Sequence, residues 1–148
     1  SSGFEELIQL DPAARENLIV GSNYYYTIDN PENKKFVEAY KKKFKGVPPG
    51  YAGAAGYGLM KMTLLGMQKS GSTEPQKVIT ALEEHKGKNF VGDFEIRGRN
   101  HQTVRPFFVL QTKKKNEMKN QYDMAEVVDV SSTEQPKNIN MCKDIGSF

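Results

Sequence analysis

The sequence predicts an α/β fold, because the spacing of its apolar residues changes along the chain. Up to about residue 87, apolar side chains recur at intervals of three and four residues, which indicates helices, with one extended run between the first two. From residue 89 onward, aromatic and β-branched residues alternate with turn-forming segments, which indicates a strand meander. The predicted order is a helix, a strand, three helices and two or three strands, with no internal repeat.

Composition narrows the class of protein. The chain has 148 residues, 37% apolar and 26% charged, and no run approaches the roughly 20 apolar residues of a membrane span, so we expect a soluble globular protein. The net charge of +3 is small and the lysines are dispersed among 18 acidic residues, which argues against a nucleic-acid partner. The single cysteine, Cys142, allows no internal disulfide and no thiolate cluster for a metal.

The first predicted elements are a short helix over residues 4–10, closed by Asp11 and Pro12, and a strand over residues 17–26. The strand ends in three consecutive tyrosines. Alternation along a strand would direct Tyr24 and Tyr26 to one face and Tyr25 to the other. At least one ring therefore either packs under the next helix or faces a cleft.

A second helix is predicted from Pro31 to the sequence KGVPPG at residues 45–50. Either Asp29 or Asn30 can cap it, and Pro31 suits its first position. Its apolar side chains share one face, so the helix should dock by that side only; they are Phe36, Val37, Tyr40 and Phe44.

A third helix is predicted over residues 51–71. It is apolar on most sides, so we expect it to be largely covered, with its large apolar residues in the core; these are Leu59, Met60, Met62, Leu64, Leu65 and Met67. Gly53, Gly56 and Gly58 lower the helix propensity of its first turns. Either tight helix packing or the close approach of another backbone or a ligand would account for them.

A fourth helix should begin near a capping box formed by Thr73 and Gln76 and end at Gly87. Strands are then expected over residues 90–98, 104–112 and 122–130, and an irregular tail over residues 131–148.

Motifs of catalysis are absent from the sequence, which predicts a protein that is not an enzyme and has no catalytic residues and no cofactor. His85 and His101 lack companion ligands at metal-binding spacing, so we expect surface histidines and no metal site. Asp93 and Glu95 share a strand face, where a solvated pair is expected instead of a general acid and base.

Residues 31–111 carry a series of short motifs in a characteristic order. The motifs include Pro-x-Asn-Lys at Pro31, a Phe-x3-Tyr pair at Phe36, a proline before the long helix, Tyr57 in a Tyr-small-small step, Ser-Gly-Ser at residues 70–72, Ala81-Leu82, Gly-x-Phe at Gly92, and Pro-Phe-x-Val-x-Gln ending at Gln111. From about residue 4 to 143, this chain resembles the C-terminal half of the branched-chain amino-acid ABC transporter substrate-binding proteins.

The resemblance implies a type I periplasmic-binding-protein fold, of which residues 1–148 would be a C-terminal fragment with parts of both hinged lobes. The N-terminal half of the same protein, with its signal or lipoprotein sequence, would be missing. Cys142 could then be free or paired with a cysteine in that half.

The implied function is extracytoplasmic binding of an amino acid or related small carboxylate by lobe closure, with a membrane permease as partner. The implied location is periplasmic or extracellular, with or without a lipid anchor at the N-terminus. A ligand-sensing domain of a receptor or regulator is the alternative. Ligand contact is expected at the hinge and at the start of the long helix; the candidate residues are Tyr24, Tyr25, Tyr26, Tyr51 and Ala52.

Overall fold

The computed structural model describes residues 4–98 and 100–132 and contains both helices and strands. Its α-helices are α1 (Phe4–Leu7), α2 (Pro31–Lys43), α3 (Tyr51–Ser70) and α4 (Pro75–Leu82). Its strands are β1 (Ile19–Ser22), β2 (Lys86–Asn89), β3 (Gly92–Ile96), β4 (Thr103–Val104), β5 (Pro106–Thr112) and β6 (Ala125–Ser132). Short 3-10 turns span Pro12–Arg15 and Lys115–Glu117.

The strands form two antiparallel sheets. The first sheet has the order β1-β5-β6, with Ser22 opposite Phe108 and Phe108 opposite Val130. The second has the order β2-β3-β4. The chain passes from the second sheet to the first between β4 and β5, where Arg105 alone separates the two strands.

Helix α2 begins at Pro31, directly after its N-cap residue, Asn30. The side chain of Asn30 accepts hydrogen bonds from the backbone amides of Glu32 and Asn33, which satisfies two amides that lack partners within the helix. Asp29, the other candidate, instead forms an exposed ion pair with Lys34.

Helix α4 differs from its prediction at both ends. Its N-cap is Glu74, whose side chain makes no capping hydrogen bond, so the expected capping box of Thr73 and Gln76 is wrong. The helix ends at Leu82 instead of Gly87, and Gly87 lies in β2. The turn that separates them contains Glu84 at a φ of 57°, a left-handed conformation that stops the helix.

The expected cover over α3 is also absent from the described residues. Leu59, Met60 and Leu64 are 72%, 60% and 56% exposed, so they are not core residues here. Met62, Leu65 and Met67 are only partly buried. The buried positions on α3 are Ala54 and Gly66, and a Cβ on Gly66 would come within 2.8 Å of Val78 on α4.

The main core joins the first sheet to the helices and to the segment before β3. Its buried apolar residues come from the first sheet and its loops, from α2 and α3, and from the segment before β3; they include Tyr24, Tyr25, Phe36, Val37, Ala54, Phe90, Phe108, Leu110 and Met124. The predicted tail is a strand as far as Ser132, and the rest of it, with Cys142, lies outside the described residues.

Candidate functional site

A cavity of about 450 Å³ lies beside the first half of α3. Its other walls are the bend after β1, the segment before β3 and the end of β4. The lining residues are mostly apolar or aromatic; they are Asn23, Tyr24, Tyr51, Ala54, Ala55, Gly56, Gly58, Leu59, Met62, Asn89, Phe90, Val91, Thr103 and Arg105. This volume falls within the range of small-molecule sites.

An aromatic cluster behind the cavity holds its wall in place. The rings of Tyr24 and Phe90 lie 5.8 Å apart, and Phe36 packs against Phe90 at 5.3 Å. Tyr57 stacks on Phe36 at 4.3 Å with an interplanar angle of 16°. Such contacts leave little freedom for the rings, so the cavity wall is preformed.

The three glycines in the first turns of α3 have different surroundings. A Cβ on Gly53 would lie 3.1 Å from the hydroxyl of Tyr40, and one on Gly58 would lie 3.2 Å from the ring of Phe90. Aromatic packing thus explains two of the glycines. A Cβ on Gly56 would meet no described atom within 4 Å, and Gly56 lines the cavity.

Arg105 is the one charged residue among those that line the cavity. Its Nη1 donates a hydrogen bond to the carbonyl oxygen of Asn23 at 3.0 Å, and its Nη2 donates one to Asn23 Oδ1 at 2.9 Å. Burial lowers the pKa of the guanidinium, and the nearby Tyr51 counteracts part of that effect. An arginine remains charged in such a place, so the site carries a positive charge.

Tyr51 and Ala52 begin α3. Tyr51 lines the cavity and is 40% exposed, so its ring is accessible from solvent. Ala52 is exposed on the same helix but is not among the cavity-lining residues.

The tyrosine triplet does not follow strand alternation, because β1 ends at Ser22 and the next residues bend. Ser22 Oγ donates to the carbonyl oxygen of Tyr24 at 2.8 Å and stabilises this bend. Tyr24 then faces the cavity and the aromatic cluster, while Tyr25 and Tyr26 lie together, with ring centroids 5.1 Å apart.

Tyr25 and Tyr26 are held by the loop before β6. The amide of Ala125 donates to the hydroxyl of Tyr25 at 3.1 Å, and the hydroxyl of Tyr26 donates to the carbonyl oxygen of Tyr122 at 2.9 Å. Burial raises the pKa of Tyr25, and burial together with Asp123 raises the pKa of Tyr26 to about 12. Neither tyrosine lines the cavity beside α3.

The histidines and acidic residues considered in the sequence analysis do not line this cavity. His85 contacts Lys69 Nζ through Nδ1 at 2.8 Å, and His101 contacts Glu83 at 2.9 Å. Asp93 and Glu95 each form an ion pair with a lysine of β2. Within residues 4–98 and 100–132, no three histidine, cysteine or acidic side chains converge as metal ligands would.

Sequence reasoning missed Asn23, Phe90 and Arg105 as cavity residues. Arg105 had a detectable signal, since it is a lone charge between apolar strand residues in the sequence TVRPFFVL. Asn23 and Phe90 carried none, because their role depends on how distant segments meet.

A family model described as periplasmic binding protein matches residues 1–117. The chain belongs to the periplasmic binding protein family. The resemblance stated from sequence motifs is therefore confirmed, as is the type I periplasmic-binding-protein fold. No curated protein matches the chain.

Solved structures of periplasmic binding proteins superpose on the chain. An amino acid ABC transporter substrate-binding protein from Pseudomonas fluorescens is 26% identical, with a TM-score of 0.85 over 93% of this chain and 36% of that chain. A leucine-binding protein from Thermotoga maritima is 25% identical, with a TM-score of 0.67 over 84% and 33%.

A solute-binding protein of an ABC transporter from Rhodopseudomonas palustris, in complex with 3,4-dihydroxybenzoic acid, shares the fold at 19% identity, with a TM-score of 0.75 over 92% of this chain and 36% of that chain. The chain thus spans about a third of the length of these structures. Among its described helices, none has the length and apolar character to cross a bilayer.

Proposed function

We propose that the chain is part of the extracytoplasmic solute-binding component of an ABC transporter, which binds an amino acid or related small carboxylate when its two lobes close. Neighbours at 25% identity or more include an amino acid substrate-binding protein, a branched-chain amino acid transporter protein and a leucine-binding protein, and they support this class of solute. The protein acts as a binding protein and not as an enzyme.

The observation that carries the proposal is the cavity beside α3. It combines an accessible tyrosine, Tyr51, with a preformed wall of Tyr24 and Phe90 and one positive charge, Arg105. An aromatic wall favours an apolar solute body, and the acidic group of the solute is proposed from the amino acid-binding neighbours. Tyr24 and Tyr51 are the proposed contacts at this cavity, and contact by Tyr25, Tyr26 or Ala52 stays a prediction.

The two sheets supply parts of two lobes in this proposal. The first sheet, with β1, β5 and β6, belongs to one lobe, and the second sheet with α3 and α4 belongs to the other. The chain leaves the first sheet at Asn23 and returns to it through Arg105, and both residues line the cavity. Relative motion of the sheets would therefore open or close the site.

The remainder of a longer chain is the proposed cover for α3. A continuous stripe on this helix is exposed at helical spacing, and it consists of Ala52, Ala55, Gly56, Leu59, Met60 and Leu64. An apolar stripe of this kind is typical of an interface. Because the chain spans about a third of its structural neighbours, the other two thirds of such a protein would supply the opposing surface.

The family implies a location outside the cytoplasm, in the periplasm or at the cell exterior, and a membrane permease as the partner that receives the closed form.

A calorimetric titration of the complete protein against a solute panel tests the function. The panel contains aliphatic, aromatic and acidic amino acids, benzoate and 3,4-dihydroxybenzoate, with the matching carboxamides as controls. We expect saturable binding of at least one carboxylate and contraction of the protein on binding, measured by small-angle X-ray scattering. Binding of none of these carboxylates would refute the proposal.

A further inference from the structure

Two segments of the chain connect the first sheet to the rest of the structure at one end, and Asn23 and Arg105 each lie where such a segment meets a strand of that sheet. Asn23 directly follows β1, which ends at Ser22, and Arg105 directly precedes β5, which begins at Pro106. Because β1 and β5 are antiparallel neighbours, both residues lie at the same end of that sheet. This is the end at which the chain leaves for, or arrives from, the second sheet.

Two hydrogen bonds join these connections. The guanidinium of Arg105 binds both the carbonyl oxygen and Oδ1 of Asn23, at 3.0 and 2.9 Å. A planar guanidinium that donates from two nitrogens to one residue fixes orientation as well as distance. Partial burial strengthens the pair, since water competes less for its donors.

Asn23 is also adjacent in sequence to Tyr24, a residue of the aromatic wall. The next residue, Tyr24, faces the cavity, whereas Tyr25 is anchored to Ala125 at the start of β6. The side chains of Tyr24 and Tyr25 thus point to different parts of the molecule immediately after Asn23. A shift of Asn23 would move Tyr24 relative to Phe90, and with it the cavity wall.

We propose that Arg105 is a positioning residue that acts through Asn23: the pair clasps the two connections between the sheets and sets the population of the binding-competent arrangement. This inference rests on the proposed function and adds a residue that governs affinity without selecting the solute. When only a fraction of molecules is competent, the apparent dissociation constant of every solute rises by the inverse of that fraction. Loss of the clasp therefore weakens all solutes by one common factor.

The test measures the sheet-to-sheet distance in the complete protein without solute. Spin labels are attached to Lys88→Cys on β2 and Glu126→Cys on β6, both exposed positions, in a Cys142→Ser background. We expect one narrow distance distribution for the labelled protein that retains Asn23 and Arg105. We expect a broader distribution for Arg105→Met and for Asn23→Ala. Asn23→Asp retains an acceptor for the guanidinium and should keep the narrow distribution. A distribution unchanged in both Arg105→Met and Asn23→Ala would overturn the clasp.

Affinity separates the clasp from a direct solute contact. A carboxylate bound in the panel and its matching carboxamide are titrated against both variants. We expect about tenfold weaker binding of each solute that the unaltered protein binds, and a double variant no worse than Arg105→Met alone. Weakening confined to the carboxylate would make Arg105 a solute contact and refute the positioning role. Because the distance measurement uses no solute, it decides the clasp even if the proposed function fails.

Discussion

The hydroxyl of Tyr24 donates a hydrogen bond to Oδ1 of Asn33 at 2.8 Å, which ties the cavity wall to the first turns of α2. Asn33 is fully buried, and its Nδ2 donates to the carbonyl oxygens of Tyr26 and Ile28 at 3.0 and 2.9 Å. One amide therefore satisfies three polar groups in the segment between β1 and α2. This explains why an asparagine stands in the motif at Pro31.

Replacement of this amide should destabilise the whole segment. Asn33→Ala leaves the buried Tyr24 hydroxyl without its acceptor and removes a donor from the carbonyl oxygens of Tyr26 and Ile28, so we expect the free energy of unfolding to fall by about 3 kcal/mol. Chemical denaturation measures the change. Lys35→Ala, at an exposed position on the same helix, is the control and should have little effect. Equal stability of Asn33→Ala and the control would contradict the assigned role.

The cap of α2 gives a second prediction, because two adjacent residues were candidates. Asn30→Ala should lower stability by about 1 kcal/mol, since two helix amides lose their acceptor. Asn30→Asp keeps that acceptor but loses the bond that Asn30 Nδ2 donates to the carbonyl oxygen of Asn89 at 2.9 Å, so it should be intermediate. Asp29→Ala should change stability little, because its ion pair with Lys34 is exposed. A larger loss in Asp29→Ala than in Asn30→Ala would reverse the assignment.

Asp123 predicts a pH dependence of stability. Burial would raise the pKa of this carboxyl, but hydrogen bonds from Lys113 Nζ at 2.7 Å and from the Lys119 amide at 3.0 Å outweigh it and lower the pKa below its ordinary value. A depressed folded-state pKa means that the unfolded chain binds the proton first as the pH falls. The stability that the group contributes is thus complete above the unfolded pKa and is lost as the pH falls through the folded one.

The measurement compares Asp123→Asn with the unaltered protein between pH 7 and pH 2. We expect the variant to be about 1–2 kcal/mol less stable at pH 7, with the difference shrinking below about pH 4. Asp93→Asn is the control, because the Asp93 side chain is 76% exposed and its ion pair with Lys88 spans 3.5 Å. A difference that stays constant down to pH 2 would show that Asp123 stabilises by packing alone.

Tyr51→Ala should weaken solute binding about tenfold while the fold is retained, because an aromatic contact at the mouth of the cavity is lost. Phe44→Ala is a matched control, since Phe44 is a similarly exposed aromatic residue, at 45%, and does not line the cavity. Titration of the complete protein and thermal unfolding separate the two effects. Unchanged affinity in Tyr51→Ala would remove this residue from the site.

The sequence allowed prediction of those elements whose ends carry local signals. Pro31 and the caps before it marked α2, and Tyr51–Ser70 agrees with the predicted helix because Gly71 follows it in a left-handed conformation with φ of 62°. Strand β2 was missed because its sequence, KGKN, has no apolar alternation. It forms because β3 offers a hydrogen-bonding edge, with Lys86 opposite Glu95.

Side-chain surroundings were harder to predict than elements. The composition of α3 predicted burial, and this was wrong for Leu59, Met60 and Leu64, because exposure depends on what surface faces the helix. Tyr51 could be expected at a cleft from the family resemblance, and it lines the cavity. The contact of Arg105 with Asn23 could not be predicted, because it joins residues 82 positions apart.

Tyr24 and Tyr25 point to opposite sides, and this restricts where insertions and deletions can occur in related chains. Tyr24 fits an acceptor on the side-chain amide of Asn33, whereas Tyr25 fits a backbone amide on the opposite side. One inserted or deleted residue in this stretch would change the backbone length between Ser22, which is paired in β1, and Asn33, whose Nδ2 binds the carbonyl oxygens of Tyr26 and Ile28, so that these contacts could not all be kept. Insertions and deletions among homologues should therefore avoid residues 22–26 and fall in exposed turns such as residues 44–46.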